Sequence, residues 1–189
     1  MNITTSTGLG PSIETTRLIL RPPIAEDFEG FCRFHSDPKS MQFIGGVQPP
    51  SVVWRAMRST AGAWYLDGFN FFSVIEKSSG QWIGRIGPLY PHQWPGREVG
   101  WGLCSSHWGK GYAREAAIAA MDFVFDYLGW ETVIHTIDPQ HLRSAALAKA
   151  LGSKNLGPGE LPEPFASFPV DIWGQSKQDW QVNKLQFAQ

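Results

Sequence analysis

The run Trp108-Gly109-Lys110-Gly111-Tyr112-Ala113, followed at once by Arg114-Glu115-Ala116-Ala117, constrains this chain more than any other segment. Two glycines one residue apart allow a tight turn in which the backbone approaches a ligand closely, and the alanine-rich stretch beyond them predicts a helix. The first-turn N–H groups of a helix have no intrahelical acceptor, and together with the helix dipole they attract anions. Just upstream, Glu98-Val99-Gly100-Trp101-Gly102-Leu103 has the pattern of a strand leading into the loop. Strand, glycine loop and helix in that order make a cradle suited to a pyrophosphate. The alternative is a plain turn before a helix.

Spacing separates this loop from two other phosphate-binding patterns. A nucleotide P-loop needs a glycine five residues before Gly109 and a hydroxyl after the lysine, whereas the chain has Cys104 and Gly111 there. A dinucleotide fingerprint needs a third glycine where Arg114 stands, and that side chain would crowd the packing of helix on strand.

Length and composition bound the remainder. With 189 residues, 42% of them hydrophobic, the chain suits one globular domain, expected over residues 14–182 with a flexible tail at 1–13 and another at 183–189. Sixteen basic and 17 acidic residues nearly cancel, so no overall field favours nucleic acid or an anionic membrane as partner. No apolar run approaches the roughly 20 residues that span a bilayer. Cys32 and Cys104 have neither paired spacing nor a Cys/His cluster for zinc, which fits a reduced, cytoplasmic protein without a metal. Nine Trp and twelve Phe are expected mainly in the core.

Along the chain, the alternation in residues 17–21 predicts a first strand, and residues 25–35 carry Phe28, Phe31, Cys32 and His35 at helical spacing. Pro49-Pro50-Ser51 opens a second helix whose stripe includes Val53, Trp54, Met57, Ala61, Trp64 and Tyr65, ended by Gly68. Residues 69–77 and 82–90 form a hairpin around Ser78-Ser79-Gly80-Gln81. A strand at 97–104 precedes a long helix at about 110–128, ended by Gly129. A β-branched strand at 132–137, a helix through Ser144, Leu147 and Leu151, a Pro/Gly-rich loop at 154–169 that can carry a short strand, and a last strand at 170–173 complete the order.

Several of these segments together resemble the GNAT superfamily of acyl-CoA N-acyltransferases, most closely its RimJ/RimL-like branch. The pattern Gly-aromatic-x-Leu and then Trp-Gly-Lys-Gly-Tyr-Ala-x-Glu-Ala from Gly100 to Ala117 carries the likeness. Thr16-Arg17-Leu18-Ile19-Leu20-Arg21-Pro22, the element Pro139 to Ser144, and Trp173-Gly174 with Trp180 support it. The resemblance implies an α/β fold with a twisted mixed sheet of about seven strands flanked by helices and splayed between the fourth and fifth. It also implies transfer of acetyl from acetyl-CoA directly to an amine, on a small molecule, a peptide or a protein N-terminus.

Residue by residue, the resemblance places the pyrophosphate on the backbone N–H groups of Gly109, Lys110, Gly111, Tyr112, Ala113 and Arg114. The pantetheine arm is expected along Leu103, Cys104 and Ser105, whose N–H groups can polarise the thioester. Glu98 stands where several relatives carry the base that deprotonates the amine, with His92 and His135 as lesser candidates. Ser144 is the candidate partner of the leaving thiolate, since no tyrosine follows in residues 152–157. His141 occupies the place of the family's asparagine and is expected to contact the cofactor. An acyl-Cys104 intermediate is not expected, because no histidine adjoins it in sequence. Two other classes remain open at this level, a non-catalytic acyl-CoA sensor and a structural interaction module, as does the choice between monomer and homodimer.

Overall fold

The computed structural model describes residues 2–5 and 8–187. The chain divides into two compact units, Met1–Gly87 with Trp101–Ala119, and Pro88–Gly100 with Ala120–Gln189.

The first unit begins with strands β1 (Asn2–Thr5), β2 (Pro11–Glu14) and β3 (Leu18–Arg21). A single 3-10 turn leads into helix α1 (Phe28–Ser36), followed by the short α2 (Pro38–Met41) and the long α3 (Pro50–Asp67). A hairpin of β4 (Phe72–Glu76) and β5 (Trp82–Leu89) comes next. The unit closes with the second half of β6 (Glu98–Leu103) and most of α4 (Tyr112–Asp122). Strands run in the order β1-β2-β3-β4-β5-β6, antiparallel from β1 to β5. Alternation explains the pairing: Leu18 and Leu20 of β3 are fully buried while Ile19 and Arg21 are half-buried. Beside β6, Gly84 is required by close approach, since a Cβ there would lie 2.4 Å from the Gly102 carbonyl oxygen.

Helix α1 lays Phe31 and Phe34 on Trp82, joined by Met41, Val53, Met57 and Ile75. Buried Val53, Met57, Thr60 and Trp64 mark the inward stripe of α3. Trp64 is a core residue whose indole N–H donates to the Phe71 carbonyl at 3.0 Å, whereas Trp54 stays partly exposed, edge-on to Phe28. Gly68, in the left-handed region at φ 78°, ends the helix as expected.

The second unit holds the first half of β6, then β7 (Thr132–Ile137), α5 (Leu142–Ala150), β8 (Lys154–Gly159), β9 (Val170–Ser176) and α6 (Lys177–Asn183). Its strand order is β6-β7-β9-β8, parallel at β6–β7 through Glu98 and Ile134 and antiparallel at the other two pairings. The architecture is therefore mixed α/β, an open mixed sheet with helices, as expected. Phe123, Val124, Phe125, Val133, Ile137 and Trp180 supply much of this unit's buried apolar side-chain volume.

Four expectations need correction. Residues 10–13 are not a tail: Ile13 is fully buried, and Gly10 packs so tightly that a Cβ would meet the Trp64 ring at 2.5 Å. Among the described residues the sheet accordingly has nine strands rather than about seven, with β1 and β2 beyond the strands expected and β8 as the short strand allowed for in residues 154–169. Residues 183–187 are anchored too: Asn183 donates to Gln175 Oε1 at 3.1 Å, Lys184 pairs with Asp122 and Asp126, and Phe187 packs on Trp180. Finally, the helix expected at 110–128 is α-helical only to Asp122 and continues as a π-turn over Phe123–Tyr127, in which the Leu128 N–H reaches the Phe123 carbonyl.

Candidate functional site

In the glycine loop, Gly109 and Gly111 both sit in the left-handed region, at φ 75° and 80°. The N–H groups of Gly109, Lys110, Gly111, Tyr112 and Ala113 meet no acceptor among the described residues, and in the helix that follows the Glu115 N–H donates to the Gly111 carbonyl. Five successive donors at a helix start have the arrangement that suits an anion.

That shape is held in place by Arg17. Its Nε donates to Glu115 Oε2 at 2.6 Å, its Nη1 donates to the Lys110 carbonyl at 2.9 Å, and its guanidinium lies 4.4 Å over the Tyr112 ring. Glu115 also accepts from the Arg17 N–H and the Thr15 hydroxyl, while the Tyr112 hydroxyl donates to Glu76. Sequence reasoning placed Arg17 and Glu115 in separate recognisable runs but had no means of pairing side chains 98 positions apart.

The strand end before the loop differs from expectation. The Cys104 N–H donates to the Ile83 carbonyl at 2.8 Å, and the Ser105 N–H donates to Ser40 Oγ at 2.9 Å. The Ser40 hydroxyl in turn donates to Asp37 at 2.6 Å, and the Leu103 carbonyl accepts the Trp108 indole N–H. Two of the three amides expected to polarise a thioester, those of Cys104 and Ser105, are thus already engaged, so in this conformation they cannot serve as free donors. Burial pushes the Cys104 thiol up to about 11, which leaves it protonated and a poor nucleophile at neutral pH.

Glu98 opens β6 in the second unit and is only 5% exposed. The Trp94 indole N–H donates to Oε2 at 2.6 Å, the Thr136 hydroxyl donates at 2.9 Å, and the Thr136 N–H reaches Oε1 at 3.2 Å. Desolvation raises this carboxyl to about 7, against the opposing pull of the three hydrogen bonds. A carboxylate near 7 is divided between its two forms at neutral pH, which is what proton transfer to and from a substrate requires. Trp94, held edge-on to Phe165, and Thr136 were not foreseen as partners.

The histidines sort by environment. His135 is buried, with Nδ1 2.6 Å from the Val99 carbonyl and Nε2 3.0 Å from Ser153 Oγ, and burial pulls it down to about 4. It is a neutral core residue and not the base. His92 is exposed in the loop before β6. His141 and buried Ser144 share the first turn of α5, where the Ser144 N–H donates to the His141 carbonyl at 3.0 Å, and burial lowers His141. Glu98, His141 and Ser144 therefore belong to the second unit, and Leu103 through Arg114 to the first. Among the described residues, no helix is long and apolar enough to cross a membrane.

The acetyltransferase (GNAT) domain family matches residues 17–154. The chain is 31% identical over 150 residues to N-acetyltransferase p20 of Bacillus licheniformis, a protein described as uncharacterized, covering 77% of this chain and 84% of that one. A solved acetyltransferase from Agrobacterium tumefaciens superposes with a TM-score of 0.75 at 28% identity, over 93% of this chain and 98% of the other. The ribosomal-protein-S5-alanine acetyltransferase of Vibrio fischeri shares the fold, with a TM-score of 0.69 at 18% identity, over 89% and 98%.

Proposed function

Because this chain belongs to the GNAT acetyltransferase family, we propose that it is a cytoplasmic N-acetyltransferase that takes acetyl from acetyl-CoA and passes it directly to an amine. The observation that carries the reading is the run of five unpaired N–H groups from Gly109 to Ala113, preset by Arg17. These donors, with Arg114, fit the coenzyme's pyrophosphate. Acetyl-CoA, when bound, supplies an activated acetyl group and a thiol leaving group.

The residues of the chain then divide the remaining work. An ammonium has no lone pair for attack, so its proton must leave first, and Glu98 is the acceptor for that proton. When Glu98 becomes protonated, Trp94 remains a donor to it and the Thr136 hydroxyl can reverse to accept, so the new O–H has a partner. The Ser144 hydroxyl is the hydrogen-bond donor to the departing thiolate, which takes up the second proton that leaves the attacking nitrogen as the amide forms, with His141 contacting the pantetheine arm. The protonated Cys104 favours direct transfer over an acyl-enzyme. A Ser105 amide released from Ser40 would become a donor to the thioester carbonyl. The RimJ/RimL-like pattern from Gly100 to Ala117, and the fold shared with an S5-alanine acetyltransferase, support an α-amino group as acceptor.

A thiol-release assay over a panel of amines, with wild type and Glu98→Gln compared across pH, tests this. Loss of a general base is worth roughly 10²–10⁴ in rate, and acetyl-CoA affinity should stay unchanged. Full activity in Glu98→Gln would remove Glu98 from the mechanism. Acetyl-CoA binding without thiol release on any amine would favour a sensor instead.

A further inference from the structure

Asp37, Ser40 and Ser105 form a network that lies wholly within the first unit, at the strand end before the glycine loop. The Ser105 N–H donates to Ser40 Oγ at 2.9 Å, and the Ser40 hydroxyl donates to Asp37 Oδ2 at 2.6 Å. Asp37 is the N-cap of α2, where its Oδ1 accepts the Lys39 N–H at 3.1 Å. Capping accounts for that bond. It does not account for a second carboxylate oxygen turned onto the Ser40 hydroxyl, nor for the hydrogen bond from the Ser105 side chain to the same carboxylate.

Asp37 fixes which way Ser40 faces. Hydrogen bonds from the side chains of Ser105 and Ser40 hold the Asp37 carboxyl down at about 2, so it is ionised near neutral pH. An ionised carboxylate only accepts, so the Ser40 proton points at Asp37 and the oxygen keeps its lone pairs for the Ser105 N–H. Ser40 Oγ is therefore a neutral oxygen, polarised by its own donation, at the distance from an amide nitrogen at which a substrate carbonyl oxygen is received.

The two engaged amides differ in what holds them. The Cys104 N–H is bound to the backbone carbonyl of Ile83 in β5, and only movement of the chain would free it. The Ser105 N–H is bound to a side chain, and rotation about one Cα–Cβ bond frees it. Ser40 itself is 9% exposed, so an amide released in its surroundings needs another acceptor in place of water. A thioester carbonyl is such an acceptor, and it is present only while the acyl group is.

We propose that Ser40 is a positioning residue that holds the Ser105 amide while the site lacks an acyl group and yields it to the thioester oxygen when acetyl-CoA binds, with Asp37 orienting its hydroxyl. The inference rests on the N-acetyltransferase reading and adds the group that controls the thioester's donor. Free CoA has no carbonyl to take the amide, so Ser40 competes with acetyl-CoA and leaves CoA untouched.

Calorimetric titration of wild type, Ser40→Ala and Asp37→Asn with acetyl-CoA and with CoA tests this. Removing the competing oxygen in Ser40→Ala should tighten acetyl-CoA by roughly two- to tenfold, the worth of one net hydrogen bond, with CoA affinity unchanged. Asp37→Asn keeps a capping side chain but loses the charge, and should act in the same direction to a lesser extent. A purely structural role moves both ligands together or neither. An unchanged ratio of the two affinities in Ser40→Ala overturns the proposal and leaves the acetyltransferase reading standing, whereas a folded wild type that binds neither ligand overturns both. A second readout needs no variant: the Ser105 amide resonance of wild type, followed by NMR during titration with each ligand. A shift at saturating acetyl-CoA that CoA does not reproduce is expected, and the same shift with both overturns the proposal.

Discussion

Glu98 is an acid held where water is scarce, and its neighbours set how far its proton affinity rises. Trp94 supplies a donor that favours the ionised form and, edge-on to Phe165, part of the surrounding apolar wall. Trp94→Phe keeps most of the wall and removes the donor. The Glu98 carboxyl should then rise above about 7, and the acidic limb of the kcat/KM profile should move to higher pH. An unmoved limb would separate Trp94 from the ionisation of Glu98. Cys104 offers the opposite case, since its thiol is raised to about 11. Cys104→Ala should retain activity, and intact-protein mass spectrometry after mixing wild type with acetyl-CoA should show no added acetyl on that cysteine. At this scale Glu98 was reached through the family resemblance, which places a base at that point of the strand. It could not name Trp94 or Thr136, because their significance lies in what faces them and leaves no trace in local pattern.

The loop from Trp108 to Arg114 is an element whose conformation precedes any ligand. Its glycines allow the turn, and Arg17 ties the Lys110 carbonyl to Glu115 and so keeps the amides together. Arg17→Ala should weaken acetyl-CoA binding by roughly tenfold, an effect of losing one or two charge-assisted bonds, with little change in kcat at saturating donor. Calorimetric titration measures the first quantity and steady-state kinetics the second; a fall in kcat with unchanged affinity would contradict the clamp. The loop and the helix after it were legible because glycine spacing and alanine content act locally. Strand β2 was not legible, since a polar Ser/Thr-rich stretch gives no alternation, and the packing of Gly10 just before it against Trp64 joins residues far apart in sequence. The π-turn at Phe123–Tyr127 escaped for a related reason, because nothing in the run Phe-Val-Phe-Asp-Tyr departs from an ordinary helical stripe.

Across the whole molecule, two buried titrating groups give stability opposite dependences on pH. Glu98 has a folded value near 7, above its unfolded one, so its cost is absent below about pH 4.5 and complete above pH 7. His135 has a folded value near 4, below its unfolded one, so its cost is absent above about pH 6.5 and grows as pH falls. Glu98→Gln should therefore gain on wild type by on the order of 3 kcal/mol between pH 4.5 and pH 8, read from urea unfolding at each pH. A constant difference between the two proteins would show that Glu98 is not raised. The overall α/β order was legible because helices and strands alternate in strongly periodic segments. The division into two units was not, since strand β6 and helix α4 each contribute to both and no composition break marks the boundary.

The central claim is that the backbone of residues 109–114 holds the acyl donor. Calorimetric titration of wild type and Gly111→Asp with acetyl-CoA tests it most directly, because the substitution puts a side chain at φ 80°, toward Arg17, and a negative charge in the cradle. Saturable binding by wild type, lost in a Gly111→Asp protein with an unchanged folded circular dichroism spectrum, is the predicted result. Equal binding by both, or none by a folded wild type, would contradict the account.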